Sequence, residues 1–136
     1  MKKAILLLSI LLSTSVVNAA SAPPFSDAVK VGNILYLSGQ IGSSTLGEPP
    51  VAGGIVPETH QAMKNIKDVL AKYGSSVDQL AKCTIMLADI REWSQMNEVY
   101  ASYFPTGRYP ARSAFGATGL AYNARVEIEC IATTPT

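Results

Sequence analysis

Two stretches of this chain repeat their apolar residues at helical spacing, and alternating stretches lie on both sides of each, so the order of these periods constrains the fold more than any other feature. In the first, Met63, Ile66, Val69, Leu70 and Tyr73 recur at intervals of three and four, with Lys64, Lys67, Asp68 and Lys72 on the other side. This predicts an amphipathic helix over 58–73, with Pro57 suited to its first turn and Gly74 to its end. The second puts Met96, Val99, Tyr100 and Tyr103 on one side of a helix over 94–104, stopped by Pro105 and Gly107. Ahead of the first helix, a strand ends at Val31, Gly32-Asn33 supplies the positive φ angles of a two-residue hairpin turn, and a second strand runs from Ile34 to about Ile41. Residues 80–90, 111–115 and 126–133 read as three more strands. The order β-β-α-β-α-β-β is that of an α+β domain with both helices on one face of a single sheet.

The N-terminus has a different character. Met1-Lys2-Lys3, the apolar run AILLLSILL and the softer STSVVNAA have the three-part layout of a secretory signal peptide. The run is short for a bilayer span, and small residues at Val17 and Ala19, or Asn18 and Ala20, suit signal peptidase. The expectation is a leader over 1–20, cut near Ala19 or Ala20, and a periplasmic or secreted domain over 21–136 that is free of the membrane, against the alternative of an uncleaved anchor. About 116 residues then remain, one domain with chain enough for a modest core. Of the 11 Lys and Arg, Lys2 and Lys3 leave with the leader, so nine face 10 acidic residues. A near-neutral chain with scattered cations argues against a nucleic-acid partner.

Cys83 and Cys130 each sit in an apolar strand run. Export permits a disulfide, yet both positions equally suit small buried hydrophobes, and two free thiols are the favoured reading. His60 is the only histidine, expected as an exposed helix-start residue, and nothing has metal-ligand spacing. The Gly- and Pro-rich stretch 43–57 reads as a loop that either closes over a site or merely connects.

In the strands, Cys83, Ile85 and Leu87 alternate with Thr84, Met86 and Ala88, while Val126, Ile128 and Cys130 alternate with Glu127, Glu129 and Ile131. The second face, assigned Met86, Ala88, Ala114 and Ile131, is too apolar for a wet sheet surface, which predicts a homo-oligomer with Arg112 and Glu127 pointing into the interface. If the strands carrying Arg112 and Glu127 are neighbours and their faces coincide, a guanidinium fork and a carboxylate line one pocket, suited to gripping a carboxylate and activating water. The other reading is a cross-strand ion pair that only stabilises the sheet, and periodicity alone favours it.

Four segments, GNILYLSGQIG, MNEVYASYF, YPARSAFG and VEIECIA, stand in the order and at the separations of the RidA family, also called YjgF/UK114, the reactive-intermediate enamine/imine deaminases. The chain resembles that family from about Pro24 to Ala132, most specifically in P-A-R-S followed by V-E-I-E-x-I-A. The resemblance implies a chorismate-mutase-like α+β fold with a single mixed sheet, a homotrimer with a site in each cleft between subunits, and no cofactor or metal. It implies that Arg112 binds the substrate carboxylate, that Glu127 stands near the attacking water, that Gly39 of S-G-Q lies beside the ligand, and that Asn97 lines the cleft.

The activity so implied is hydrolysis of small 2-imino acids, such as the tautomer of 2-aminoacrylate, to 2-keto acids and ammonia. A non-catalytic carboxylate-binding module is the alternative, and it would make Glu127 dispensable. A ribonuclease role sometimes attached to the family finds little support in one helix-start histidine. Departures from the family pattern bear on the substrate. Phe25 replaces a tyrosine in Pro24-Phe25-Ser26-Asp27 and removes a phenolic hydroxyl, Asp27 introduces a charge, Ala114 replaces a cysteine, and Leu120-Ala121 replaces a Leu-Pro turn. Phe25 and Ala114 are expected to line the substrate pocket.

Overall fold

The computed structural model describes residues 22–135, so the leader expected over 1–20 and its cleavage site lie outside the described residues. The strands and helices follow the expected order except that the second strand, expected over Ile34 to Ile41, is divided in two: β1 (Ala28–Val31), β2 (Ile34–Leu37), β3 (Gln40–Ile41), α1 (Ile55–Lys72), β4 (Leu80–Leu87), α2 (Trp93–Ser102), β5 (Ala111–Gly116) and β6 (Val126–Thr133). They form one mixed sheet in the order β1-β2-β6-β4-β5, with β3 also paired to β6. Every pairing is antiparallel except β4 with β5. That exception follows from the chain itself, since parallel neighbours need a crossover, and α2 is the crossover between them.

The hairpin turns as the sequence indicates, with Val31 opposite Ile34. Only Gly32 takes a positive φ, 60°, as in a turn whose first central residue is glycine. Helix α1 starts three residues earlier than its periodicity suggests, capped by Gly54 at φ 89°, with Pro57 inside the first turn. His60 therefore lies in the second turn, exposed, its Nδ1 3.0 Å from Tyr103 Oη. The loop before α1 is tied at its base, where Asn65 Nδ2 donates to the Ile41 and Ser43 carbonyls.

The core lies between one sheet face and the two helices. Leu35, Ile85, Leu87, Val126, Ile128 and Ala132 meet Met63, Ile66, Leu70 and Met96, all fully buried. Each large side chain so enclosed contributes about 1.5–3 kcal/mol relative to exposure. The opposite sheet face is uncovered and mixed, with Val29, Val31, Tyr36 and Phe115 exposed beside Lys82, Thr84, Glu127 and Glu129, and its exposed apolar side chains suit burial against other copies of the chain.

Cys83 and Cys130 form a disulfide rather than the two free thiols favoured from the sequence. β4 and β6 are antiparallel neighbours whose register sets the two residues directly opposite each other, with Cα atoms 4.1 Å apart. Both side chains turn into the helix-covered core, where the bridge is buried.

Candidate active site

Arg112 reaches its surroundings through α2. Because α2 is the crossover to β5, it covers the face on which Arg112 lies, and Trp93, Asn97 and Tyr100, spaced by four and three, form one stripe along it. Arg112 Nη1 donates to Asn97 Oδ1 at 2.8 Å. The guanidinium carbon stands 5.0 Å from the centre of the Tyr100 ring and 5.5 Å from that of Trp93, within cation–π range of both. Among the described residues this is the one side-chain hydrogen bond Arg112 makes, so the rest of its fork can receive an anion. Ala114, two residues along the same face, packs against the core. Tyr100 is 2% exposed and its hydroxyl has no hydrogen-bond partner among the described residues. Burial pushes this phenol up to about 12, against the pull of the Arg112 charge.

Glu127 has different neighbours. Along β6, Tyr36 stands opposite Ile131 and Gln40 opposite Ile128, so four steps on one strand match three on the other, a bulge that includes Gly39. Here the backbone passes so close that a Cβ on Gly39 would overlap Glu127 Oε1 and lie 2.9 Å from its Cδ. Burial, then the negative charge of Glu129, raises the proton affinity of Glu127 above that of an ordinary carboxylate. The segment before β1 is tied beside this bulge by Ser38 Oγ, which donates to the Ser26 carbonyl at 2.7 Å. Phe25 precedes that tether and is 53% exposed. The charge of Asp27 is taken up by Lys72, whose Nζ is 2.6 Å away, so it adds nothing to a pocket.

Gly39→Ala sets the new methyl against the end of a flexible side chain, not against backbone. The expected outcome is a displaced carboxylate in a folded chain. Melting should fall by no more than about 4 °C, and the carboxyl carbon shift of Glu127 should titrate closer to the ordinary carboxylate range as the group swings into water.

The structure brings the expected residues together in two groups rather than one. Arg112, Asn97 and Ala114 form the first, while Gly39 and Glu127, with Phe25 on the neighbouring segment, form the second. The condition that strands β5 and β6 be neighbours is not met, because β4 lies between them. Nor do the faces coincide. Arg112 is in register with Cys83 and Ala114 with Ile85, on the covered face, whereas Glu127 is in register with Met86, on the open one. Ala114 thus leaves the second face to which the alternation assigned it. Neither a cross-strand Arg112–Glu127 pair nor a pocket containing both is formed within one chain.

Two further features support the groups. Glu58, buried at the start of α1, accepts from the Arg125 backbone N–H at 2.8 Å, and the Arg125 side chain pairs with Glu92, its Nε 3.0 Å from the carboxylate. These contacts hold the start of β6, two residues before Glu127. Burial also raises the proton affinity of Glu58. The aromatic pair Trp93 and Tyr100 escaped the sequence reading, in which Tyr100 counted only as an apolar helix residue. The signal that could have found it is the 93, 97, 100 stripe next to an arginine strand.

A family model described as Endoribonuclease L-PSP matches residues 16–134. The chain is 39% identical over 121 residues to the 2-iminobutanoate/2-iminopropanoate deaminase of Mus musculus, covering 86% of this chain and 89% of that protein. Among solved structures, YyfA of Yersinia pestis, described as a Rid family protein of unknown function, superposes with a TM-score of 0.79 at 38% identity, over 85% of this chain and 91% of that one. Escherichia coli TdcF with bound serine gives 0.76 at 27% identity, over 85% and 91%.

Proposed function

The chain belongs to the RidA (YjgF/UK114) family, and on that footing we propose that it hydrolyses 2-imino acids to 2-oxo acids and ammonia at a site built from two copies of the chain. The observation that carries this reading is the division of the site itself. An anion-ready arginine, positioned by Asn97, and a desolvated carboxylate, held against Gly39, stand on opposite faces of one sheet. The exposed apolar side chains on the uncovered face beside Glu127 support association of copies, and a trimer with its sites in the clefts between subunits is the assembly we propose. The imine deaminase name of the Mus musculus relative and the serine in TdcF support a small ligand carrying an α-carboxylate.

In this mechanism Arg112 holds the carboxylate of R–C(=NH)–COO⁻, leaving the C=N carbon fixed for attack. Glu127 orients a water, takes its proton as the C–O bond forms and hands it to the former imine nitrogen, and then relays the new hydroxyl's proton to the same nitrogen. The resulting carbinolamine expels ammonia and leaves the 2-oxo acid. All atoms come from imine and water. His60 hydrogen-bonds Tyr103 instead of either group and takes no part in this mechanism. We also propose that the domain acts outside the cytoplasm, a placement supported by the signal-like N-terminus and compatible with the buried disulfide.

The test is turnover of imines generated in situ by an amino-acid oxidase, with ammonia and oxo-acid release followed. Glu127→Gln is expected to lose about 10²-fold or more of the rate, while retaining carboxylate binding. The wild-type pH profile should show kcat/KM lost in acid as Glu127 is protonated, with a midpoint above 4.5 because burial favours the neutral acid. The stability sign is opposite to that of a salt-bridged carboxylate. A raised folded-state pKa makes the ionised form a cost that appears as pH rises through that pKa and vanishes below the unfolded value. Glu127→Gln should therefore melt no lower than wild type at pH 7. Wild-type turnover in Glu127→Gln would defeat the proposed role.

A further inference from the structure

The stacking of Trp93 on Arg112 has a consequence for which imino acids are taken, and this inference rests on the function proposed above. Of the two rings that flank the guanidinium, Tyr100 is sealed in the core and Trp93 is 37% exposed, so only the indole can meet a ligand as well as the arginine. Asn97 occupies one guanidinium N–H and fixes the plane of the fork. A carboxylate gripped by the remaining N–H groups is held next to the exposed part of the indole. From its α-carbon the ligand's side chain has three surfaces within the span of a small molecule: the indole, the methyl of Ala114 on the same strand face, and whatever the second copy contributes. Neither of the first two carries charge, and Ala114 is the smallest side chain that could stand there apart from glycine.

We propose that Trp93 is a specificity-determining residue, and that the site favours 2-imino acids with bulky apolar side chains, branched or aromatic, over the alanine-sized imine. The physical basis is selective burial. An apolar side chain laid on the indole removes area from water on both surfaces, at about 25 cal/mol per Å², and an aromatic one adds ring stacking. The methyl of the smallest imino acid offers the indole far less apolar area to bury. A charged side chain gains nothing there, because Arg112 is already committed to the carboxylate and, among the described residues, neither Asp nor Glu is within salt-bridge distance of it. Reactions able to supply such imines are two-electron oxidations of apolar amino acids, which leave the imino acid as the first product.

The experiment compares wild type, Trp93→Ala and Trp93→Phe on imines made from alanine, leucine, phenylalanine and glutamate. In parallel, calorimetry is run with the stable acids pyruvate and phenylpyruvate. Expected for wild type is a kcat/KM at least tenfold higher for the leucine and phenylalanine imines than for the alanine or glutamate imine. Trp93→Ala should erase that preference chiefly through KM, the leucine and phenylalanine imines losing at least tenfold more than the alanine imine, and Trp93→Phe should restore much of it. An equal loss on every imine in Trp93→Ala would overturn the inference, assigning the indole only to holding Arg112 and leaving the hydrolase reading intact. If no imine is turned over, the functional proposal fails by itself, and calorimetry still decides this one. Tighter binding of phenylpyruvate than pyruvate, lost in Trp93→Ala, supports the selective surface, and equal binding of the two acids removes it.

Discussion

Arg112→Ala is expected to lower kcat/KM for imine hydrolysis by roughly 10²- to 10³-fold, the loss that follows when one partner of a desolvated, hydrogen-bonded charge pair is removed, about 2–5 kcal/mol. The loss should be seen in both kcat and KM, because the clamp fixes the substrate during the attack as well as before it. Arg112→Lys keeps the charge but not the planar fork, and neither the Asn97 hydrogen bond geometry nor stacking between Trp93 and Tyr100 suits an ammonium equally well. It should recover only a small part of the rate. Melting separates chemistry from folding. Arg112 is half-buried, and its removal orphans Asn97 and forfeits two cation–π contacts of about 0.5–1 kcal/mol each, so the variant should melt lower but remain folded at assay temperature. Turnover by Arg112→Ala within a factor of two of wild type would reject the arginine as substrate clamp.

The second large effect is on stability. The Cys83–Cys130 bridge closes a loop across a sequence separation of 47 residues, for which the chain-entropy relation gives about 4 kcal/mol. Cys83→Ala with Cys130→Ala is therefore expected to lose up to that amount in urea unfolding, and about 10–15 °C in melting temperature. Cys83 is in register with Arg112, but the bridge is not among the groups proposed to meet the substrate, so the double variant should keep its activity within a few-fold when assayed well below its melting point. Wild type exposed to reductant while folded should change slowly, because both sulfur atoms are shielded and reduction awaits local opening of β4 from β6. A double variant as stable as the oxidised protein would show that the bridge does not constrain the unfolded chain.

Element order was legible because period is a local property, and Met63 to Tyr73 or Cys83 to Leu87 display it without help from distant residues. The facing of β5 was not. Its run Arg112-Ser113-Ala114-Phe115 places one apolar residue on each face, so alternation gives no answer, and the register against β4 settles it. The crossover offered a clue, since a single helix between two strands favours a parallel pair with that helix above it. That logic sets β5 beside β4 with α2 above, and the register then decides which of its residues face the helix. The disulfide was hidden for a similar reason. Cys83 and Cys130 meet only because β4 and β6 are neighbours in one register out of several, a long-range outcome that two apolar strand segments do not announce. In the site, Arg112, Glu127, Gly39 and Asn97 were each named through the resemblance, but the grouping of Arg112 with Asn97 and of Gly39 with Glu127 comes only from strand register, and the aromatic clamp around the guanidinium required the helix to be set on its strand.

The bulge at Gly39 and the crossover at α2 are parts of one chain, yet the groups they position face away from each other. A single copy thus carries two incomplete halves of a reaction centre. Under the proposed assembly, catalysis becomes a property of encounter: an isolated copy is inert, and specific activity climbs with concentration until the trimers are complete. Inheritance follows the same rule. A copy lacking Arg112 and a copy lacking Glu127 are each silent alone, but together they can offer one whole site, so defects in this gene can complement each other instead of adding. A change at an exposed apolar strand residue such as Tyr36, distant in sequence from every reacting group, can read out as a loss of turnover with the fold untouched.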